Sequence, residues 1–310
     1  MRGPHAQTIV PSFLPARAVR GAVETMDVPV AAGTRVRIVV TRPPATPRGT
    51  LVALHGLSGS AESGYMRRTA AQAHARGWAV VRVNLRNCGG TEALAATFYN
   101  AGQSDDADVV LRAIEERGLP RPYALLGFSL GGNIALLYAG RSGSACRADA
   151  VCGVNPPVDL PVCIDAIERS GNALYHAYFT RSLCAQLRRI RSVREVPGPV
   201  VTPGTIGGVR GFDDLFTAPD AGYASAADYY RGASAAAVLA GVKRRSLILS
   251  AQDDPFVPVS MFDAHRLASG ALRFALPRAG GHCGYWGALR PRFWAAEAAL
   301  TFFERDGVPG

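Results

Sequence analysis

The chain has 310 residues, of which 48% are hydrophobic and 19% charged, which fits a folded soluble protein and excludes a disordered one. The 34 basic and 24 acidic residues give a formal charge of +10, and Lys243 is the only lysine. No basic run is interleaved with aromatic residues that could stack on bases, so we expect no nucleic-acid partner. A mildly basic surface is still compatible with peripheral contact with an anionic membrane.

The six cysteines show neither Cys-x-x-Cys nor the spacing of zinc ligands, and no cluster of His, Asp or Glu has ligand spacing, so we expect no metal. We also expect no cofactor. The first residues contain no continuous apolar segment, and no apolar stretch reaches the roughly 20 residues that span a bilayer. These features favour a cytoplasmic protein without a secretory signal or a transmembrane segment. The oligomeric state stays open.

Apolar runs and helical periods alternate along the first half of the chain. A turn at 32–34 joins two predicted strands at 22–30 and 35–41. Further strands are predicted at 51–54, 78–83, 123–126, 150–154, 246–250 and 272–276, and helices at 61–76, 104–117, after 129 and at about 291–304. This alternation predicts an α/β fold with a mostly parallel central sheet and helices on both faces.

The alternation stops after Pro156 and resumes only near residue 246. Between about 159 and 240 the sequence has helical patterns at 163–191, a Gly/Pro-rich loop at 197–211 and then more helix. We interpret this segment as a helical cap inserted into a single domain that covers residues 1–310. Such a cap would lie above the strand ends, where ligands bind in α/β sheets.

The most informative segment is Tyr123–Asn133, in which an apolar run leads into Gly127-Phe128-Ser129-Leu130-Gly131 and then into a helix-forming run. A strand, a sharp turn and a helix around Gly-x-Ser-x-Gly are typical of a nucleophile elbow. The glycines on either side lack the Cβ atoms that would collide as the chain reverses. Ser129 is therefore the candidate nucleophile.

A serine nucleophile needs a base that a third group orients. With this type of elbow, the acid and then the histidine follow the serine along the chain. Asp254 follows the 246–250 strand and precedes Pro255, and Asp253 is the alternative acid. His282 lies in the glycine-rich loop Ala279–Gly284, and of the six histidines it alone has the expected order and loop setting. Activity should then rise with pH through a pKa of about 6 to 7 as the histidine becomes neutral.

An oxyanion that forms during acyl transfer needs hydrogen-bond donors. One candidate is the backbone N–H of Leu130, the residue after the nucleophile. The other is the backbone N–H of Leu57 in the loop that follows the strand at 51–54. His55 lies in the same loop, far before Ser129 in the sequence, whereas the expected base follows the serine. We therefore interpret His55 as a residue with a structural hydrogen-bonding role.

With these motifs the sequence resembles the YheT-like branch of the α/β-hydrolases, which is related to medium-chain acyl esterases and phospholipases. The resemblance runs over nearly the whole chain. It is carried by Pro4-His5-Ala6-Gln7-Thr8, His55-Gly56-Leu57-Ser58-Gly59-Ser60, Asn84–Gly90, Tyr99–Gly102, Gly127–Asn133, Phe212-Asp213-Asp214, Thr217-Ala218-Pro219, Asp228-Tyr229-Tyr230, Asp253–Phe256 and Gly280–Gly284. It implies the α/β-hydrolase fold and a triad at Ser129, Asp254 and His282.

The sequence departs from the family pattern at two places, since Asn87 stands where glycine is more usual and Gln103-Ser104 replaces a more acidic pair. The resemblance implies hydrolysis of carboxylic esters with short to medium acyl chains, acylglycerols among them, and hence a small-molecule acyl ester as partner. An acyltransferase that passes the acyl group to an alcohol is one alternative. A binding protein on the same scaffold is a second, which an intact Ser, Asp and His in the expected order disfavour.

Overall fold

The centre of the protein is a β-sheet, seen in a computed structural model that describes residues 3–16, 22–287 and 292–305. In these ranges the sheet has eight strands: β1 (Ala22–Ala31), β2 (Thr34–Arg42), β3 (Thr50–Leu54), β4 (Ala79–Asn84), β5 (Tyr123–Phe128), β6 (Ala150–Val154), β7 (Arg245–Leu249) and β8 (Leu272–Ala275). Every predicted strand is confirmed, with bounds that differ by at most two residues.

The strand order is β1-β2-β4-β3-β5-β6-β7-β8. The pairs β1–β2 and β2–β4 are antiparallel, and every other pair from β4 to β8 is parallel. Strands β3, β4, β5 and β6 are buried along their whole length, because helices cover both faces of the sheet. This arrangement confirms the predicted α/β-hydrolase fold.

The helices in the described ranges are α1 (Pro4–Phe13), α2 (Gly64–Ala75), α3 (Ser104–Glu116), α4 (Leu130–Ser142), α5 (Leu160–Glu168), α6 (Ala173–Arg191), α7 (Gly208–Phe212), α8 (Ala218–Asp220), α9 (Ala226–Ala233) and α10 (Trp294–Arg305). Alternate residues of β3 reach opposite cores, since Leu51 packs with α2 and α10 whereas Val52 packs with α3 and α4. None of the helices in the described part of the chain is long and apolar enough to cross a bilayer.

Five of these helices, α5 to α9, lie between β6 and β7, where the sequence predicts an insertion at about 159–240. The predicted helical stretch 163–191 is two helices, because a turn at Ser170–Asn172 interrupts it. The Asn172 side chain holds that turn by donating to the carbonyl oxygens of Ala166 and Pro255. The role of this segment as a cap stays a prediction.

The first residues of two other predicted helices, α2 and α10, also differ between the sequence prediction and the structure. The helix predicted at 61–76 begins only at Gly64, since residues 60–63 form turns closed by Ser60 and Ser63. Helix α10 is described from Trp294, and Pro291, where the prediction begins, lies outside the described residues. The sequence did not predict α1.

Candidate active site

Ser129 occupies a sharp turn between β5 and α4. Its φ and ψ are 52° and −122°, a conformation that non-glycine residues rarely adopt. The turn depends on its two glycines: a Cβ at Gly127 would lie 2.0 Å from the carbonyl oxygen of Gly131, and one at Gly131 would lie 2.6 Å from that of Leu54. The chain therefore reverses where only glycine fits, and the serine is left at the carboxyl end of the sheet.

His282 lies between the serine and a carboxylate. Its Nε2 is 2.8 Å from Ser129 Oγ, and its Nδ1 is 2.7 Å from Asp254 Oδ2. Because a carboxylate only accepts hydrogen bonds, Nδ1 carries the proton and Nε2 is free to accept from the serine hydroxyl. The structure thus brings together the three side chains that the sequence predicts to form a triad.

The Asp254 side chain has no exposed surface and is held by backbone and side-chain donors. Its Oδ1 accepts from the N–H groups of Phe256 and Val257, at 3.0 Å each. Its Oδ2 accepts from Asn155 Nδ2 as well as from His282. These four donors suit an ionised carboxylate, because each of them compensates part of its desolvation.

Asp253, the alternative acid, faces a different partner. Its Oδ1 accepts from the backbone N–H groups of Gly280 and Gly281, at 2.8 Å each. It therefore holds the loop that carries His282, whereas Asp254 contacts the imidazole itself. The two adjacent carboxylates thus have different roles: Asp253 holds the shape of the loop, and Asp254 contacts the imidazole ring.

Asn155 is a site residue that sequence reasoning missed. It follows β6 at the carboxyl end of the sheet and has a φ of 46°. Its Nδ2 donates to Asp254 Oδ2 and to the carbonyl oxygen of Gly281, so it joins the acid to the histidine loop. The sequence could have indicated Asn155 by its position directly after a predicted buried strand, since ligands and catalytic groups lie at that edge of a parallel sheet.

The loop after β3 lies against the nucleophile, since a Cβ at Gly56 would be 2.9 Å from Ser129 Cβ. The Gly56 N–H donates to Tyr65 Oη, and the Ser58 N–H donates to Tyr99 Oη. Within the described residues, the N–H groups of Leu57 and Leu130 donate to no protein acceptor. Leu130 is also the first residue of α4, where the helix dipole favours negative charge.

His55 is fully buried and both of its ring nitrogens are occupied. Nδ1 donates to the carbonyl oxygen of Gly56 at 2.8 Å, and Nε2 accepts from the Leu85 N–H at 3.1 Å. Burial lowers the pKa of His55 to about 4, so the ring is neutral at physiological pH. These contacts agree with a structural role in shaping the loop.

A cavity of about 470 Å³ opens beside Ser129 and His282. One wall comes from four apolar or aromatic residues of α6, namely Leu174, Tyr175, Tyr178 and Phe179. Elsewhere in the predicted cap, Leu183 and Phe216 are buried in the core and Tyr223 packs against it. The opposite wall is α1, with Ile9, Pro11 and Phe13, so the pocket is mainly apolar around a polar centre.

In the described ranges no group of three or more His, Cys, Asp or Glu side chains could hold a metal ion.

A serine elbow at the carboxyl edge of a mostly parallel sheet, with an acid and a histidine from later loops, defines the α/β-hydrolase class. A family profile described as alpha/beta hydrolase fold matches residues 49–288, and the chain belongs to this family. It is also 32% identical over 250 residues to YheT of Escherichia coli (strain K12), whose name places it among the esterases. That match covers 79% of this chain and 73% of YheT, and it confirms the resemblance seen in the sequence.

Other relatives carry lipase names. A monoacylglycerol lipase of Saccharomyces cerevisiae is 27% identical over 263 residues, which cover 82% of this chain and 58% of the yeast protein. The chain thus spans less than two thirds of that relative. The Pyrococcus furiosus esterase Pf2001 shares the fold, with a TM-score of 0.59 and 12% identity over 94% of this chain and 99% of that one. The family to which this protein belongs is therefore one of esterase- and lipase-type hydrolases.

Proposed function

We propose that this protein is a serine hydrolase that cleaves carboxylic esters with short to medium acyl chains, acylglycerols among them, through an acyl-enzyme on Ser129. The observation that carries the proposal is the continuous hydrogen-bonded chain from Ser129 through His282 to Asp254, beside an apolar cavity. The esterase and lipase names of the relatives support the reaction class.

In the first half-reaction His282 Nε2 takes the proton of the Ser129 hydroxyl while Oγ attacks the ester carbonyl carbon. The resulting oxyanion accepts hydrogen bonds from the N–H groups of Leu57 and Leu130, donors that are typically worth about 10²- to 10³-fold in rate each. Asp254 stabilises the imidazolium through Nδ1–H. When the C–O bond breaks, the imidazolium passes its proton to the departing alcohol and the acyl group stays on Ser129.

In the second half-reaction water repeats these steps. His282 takes a proton from a water molecule, whose oxygen attacks the acyl carbon, and the second tetrahedral intermediate uses the same two N–H donors. Its collapse returns the proton from His282 to Ser129 Oγ and releases the carboxylic acid. Each cycle thus consumes one ester and one water and leaves the enzyme unchanged.

Covalent labelling tests the nucleophile. A fluorophosphonate probe should label the wild-type protein, because it traps an activated serine that has a histidine base. Ser129→Ala should abolish labelling and ester hydrolysis, whereas Ser192→Ala, which removes a hydroxyl at the exposed end of α6, should keep both. Folded wild-type protein that stays unlabelled would show that the nucleophile is assigned wrongly.

The apolar cavity predicts how activity depends on acyl-chain length. Each methylene that leaves water contributes about 0.8 kcal/mol, so kcat/KM for p-nitrophenyl esters should rise about four-fold per carbon until the cavity is full. Tyr178→Ala, which enlarges the α6 wall, should move the optimum to longer chains. Leu267→Ala, at an exposed position that does not line the cavity, should leave the series unchanged. Activity that falls with every carbon after acetate would reject an apolar acyl pocket.

A further inference from the structure

The Pro4–Thr8 segment begins α1 and contacts the loop that carries His282. Thr8 Oγ1 donates its hydrogen to the carbonyl oxygen of Pro4 at 2.8 Å. Thr8 Oγ1 also accepts a hydrogen bond from the backbone N–H of His282 at 2.9 Å. The Tyr175 hydroxyl is a further hydrogen-bond partner of the Thr8 side chain. With its hydrogen directed to the Pro4 carbonyl oxygen, Thr8 Oγ1 presents a lone pair to the His282 N–H. The Thr8 hydroxyl is thus oriented to accept the hydrogen bond from the backbone N–H of His282, the residue that carries the imidazole.

Gln7 holds the end of the same loop. Its Nε2 donates to the carbonyl oxygen of Trp286 at 3.0 Å, and its Oε1 accepts from the Trp286 N–H at 2.8 Å. The loop lies so close to α1 that a Cβ at Gly284 would be 1.7 Å from the Gln7 carbonyl oxygen. A Cβ at Gly281 would be 2.8 Å from Thr8 Oγ1. The glycines around His282 therefore allow the contact with α1 as well as the approach to Ser129.

Helix α1 is itself fixed to the rest of the fold. At its carboxyl end, the buried guanidinium of Arg68 donates to the carbonyl oxygens of Pro11 and Leu14, at 2.9 Å each. At its amino end, His5 Nδ1 lies 3.0 Å from the hydroxyl of Tyr175 in α6. A ten-residue helix is marginal by itself, so these contacts are what hold it in place. The helix can therefore act as a fixed support for the histidine loop.

We infer that Thr8 is a positioning residue, whose hydroxyl holds the His282 backbone so that Nε2 meets Ser129 Oγ. The inference rests on the proposed function, since it concerns the base of that reaction. A displacement of about 1 Å in a reacting group can cost about 10²-fold in rate. Loss of the Thr8 hydroxyl should therefore reduce turnover more than substrate binding. A residue that served only as cavity wall would change KM instead.

The test compares Thr8→Val, which keeps the shape and removes the hydroxyl, with Thr8→Ser, which keeps the hydroxyl. Thr8→Val should lower kcat roughly 10- to 100-fold with KM within about two-fold, and Thr8→Ser should restore kcat to within about three-fold of wild type. Thr69→Val is the matched control, because Thr69 Oγ1 also donates at 2.8 Å to the carbonyl four residues earlier but, within the described residues, makes no hydrogen bond to the histidine loop. It should keep the wild-type kcat.

Melting temperatures of all variants separate folding from positioning, and Gln7→Met provides a second way to release the loop. Unchanged kcat in Thr8→Val, equal losses in Thr8→Val and Thr8→Ser, or parallel losses in Thr8→Val and Thr69→Val would each overturn the inference. If Thr8→Val does not fold, unchanged kcat in Gln7→Met overturns it and a fall at constant KM supports it. Failure of the proposed function is distinct, since wild type itself would then lack Ser129-dependent hydrolysis.

Discussion

Replacing His282 with alanine is expected to lower kcat for ester hydrolysis by about 10⁴- to 10⁶-fold, because Ser129 then has no base to take its proton. KM should change little, since the imidazole contributes one edge of a large apolar cavity. His74→Ala is the matched control: in the described part of the chain the hydrogen-bond partner of this exposed ring is the Arg42 carbonyl oxygen, and its loss should leave kcat unchanged. A His282→Ala enzyme within ten-fold of wild type would contradict a histidine base.

The same residue sets the pH dependence of the reaction. Burial by itself lowers the pKa of His282, but the Asp254 carboxylate beside Nδ1 and the neighbouring Cys283 together outweigh burial and raise the pKa above its ordinary value. A base must be neutral to accept a proton, so a raised pKa delays activity to higher pH. The midpoint of the rise in kcat/KM should therefore lie above the range of about 6 to 7 that the sequence alone suggests. The residual rate of His282→Ala should lack this rise, and a wild-type midpoint at or below about pH 6.5 would contradict the assigned cause.

The sheet and the elbow could be predicted because their signals are local. Strands such as β5 and β6 are continuous apolar runs in the sequence, and the turn at Ser129 needs glycine at positions two residues before and after it. The order of the later motifs then placed Asp254 and His282 at the same edge of the sheet. Local patterns of this kind agree with the tertiary structure, in which β5 and β6 are buried along their whole length.

The supporting residues could not be predicted in the same way. Thr8 and His282 are 274 residues apart, and Gln7 and Trp286 are 279 apart, so no local pattern links them. Helix α1 contains Pro11 and lacks the acidic first turn that marks many helices, and contacts with distant residues such as Arg68 hold it. The choice between Asp253 and Asp254 was likewise open, since adjacent carboxylates in one loop differ only in where their side chains point.

That choice gives a matched pair of variants with the second largest expected effect. Asp254→Asn should lower kcat by about 10⁴-fold, because an amide nitrogen beside Nδ1 favours the tautomer in which Nε2 carries the hydrogen and can no longer accept the serine proton. Asp253→Asn should cost less than about ten-fold, since an amide oxygen can still accept from the Gly280 and Gly281 N–H groups, where a net hydrogen bond is worth about 1 kcal/mol.

The two substitutions are isosteric, but Asp254 is buried and Asp253 partly exposed, so the melting temperatures of both variants are measured to separate a loss of stability from a loss of turnover. The ratio of their kcat values measured on one ester therefore reports which carboxylate contacts the imidazole during turnover. A larger loss in Asp253→Asn would mean that the loop rearranges in the working enzyme and that Asp253 replaces Asp254 at Nδ1. Equal, small losses would mean that neither carboxylate orients the base, and the hydrogen bond from Nδ1 to Asp254 would then be structural only.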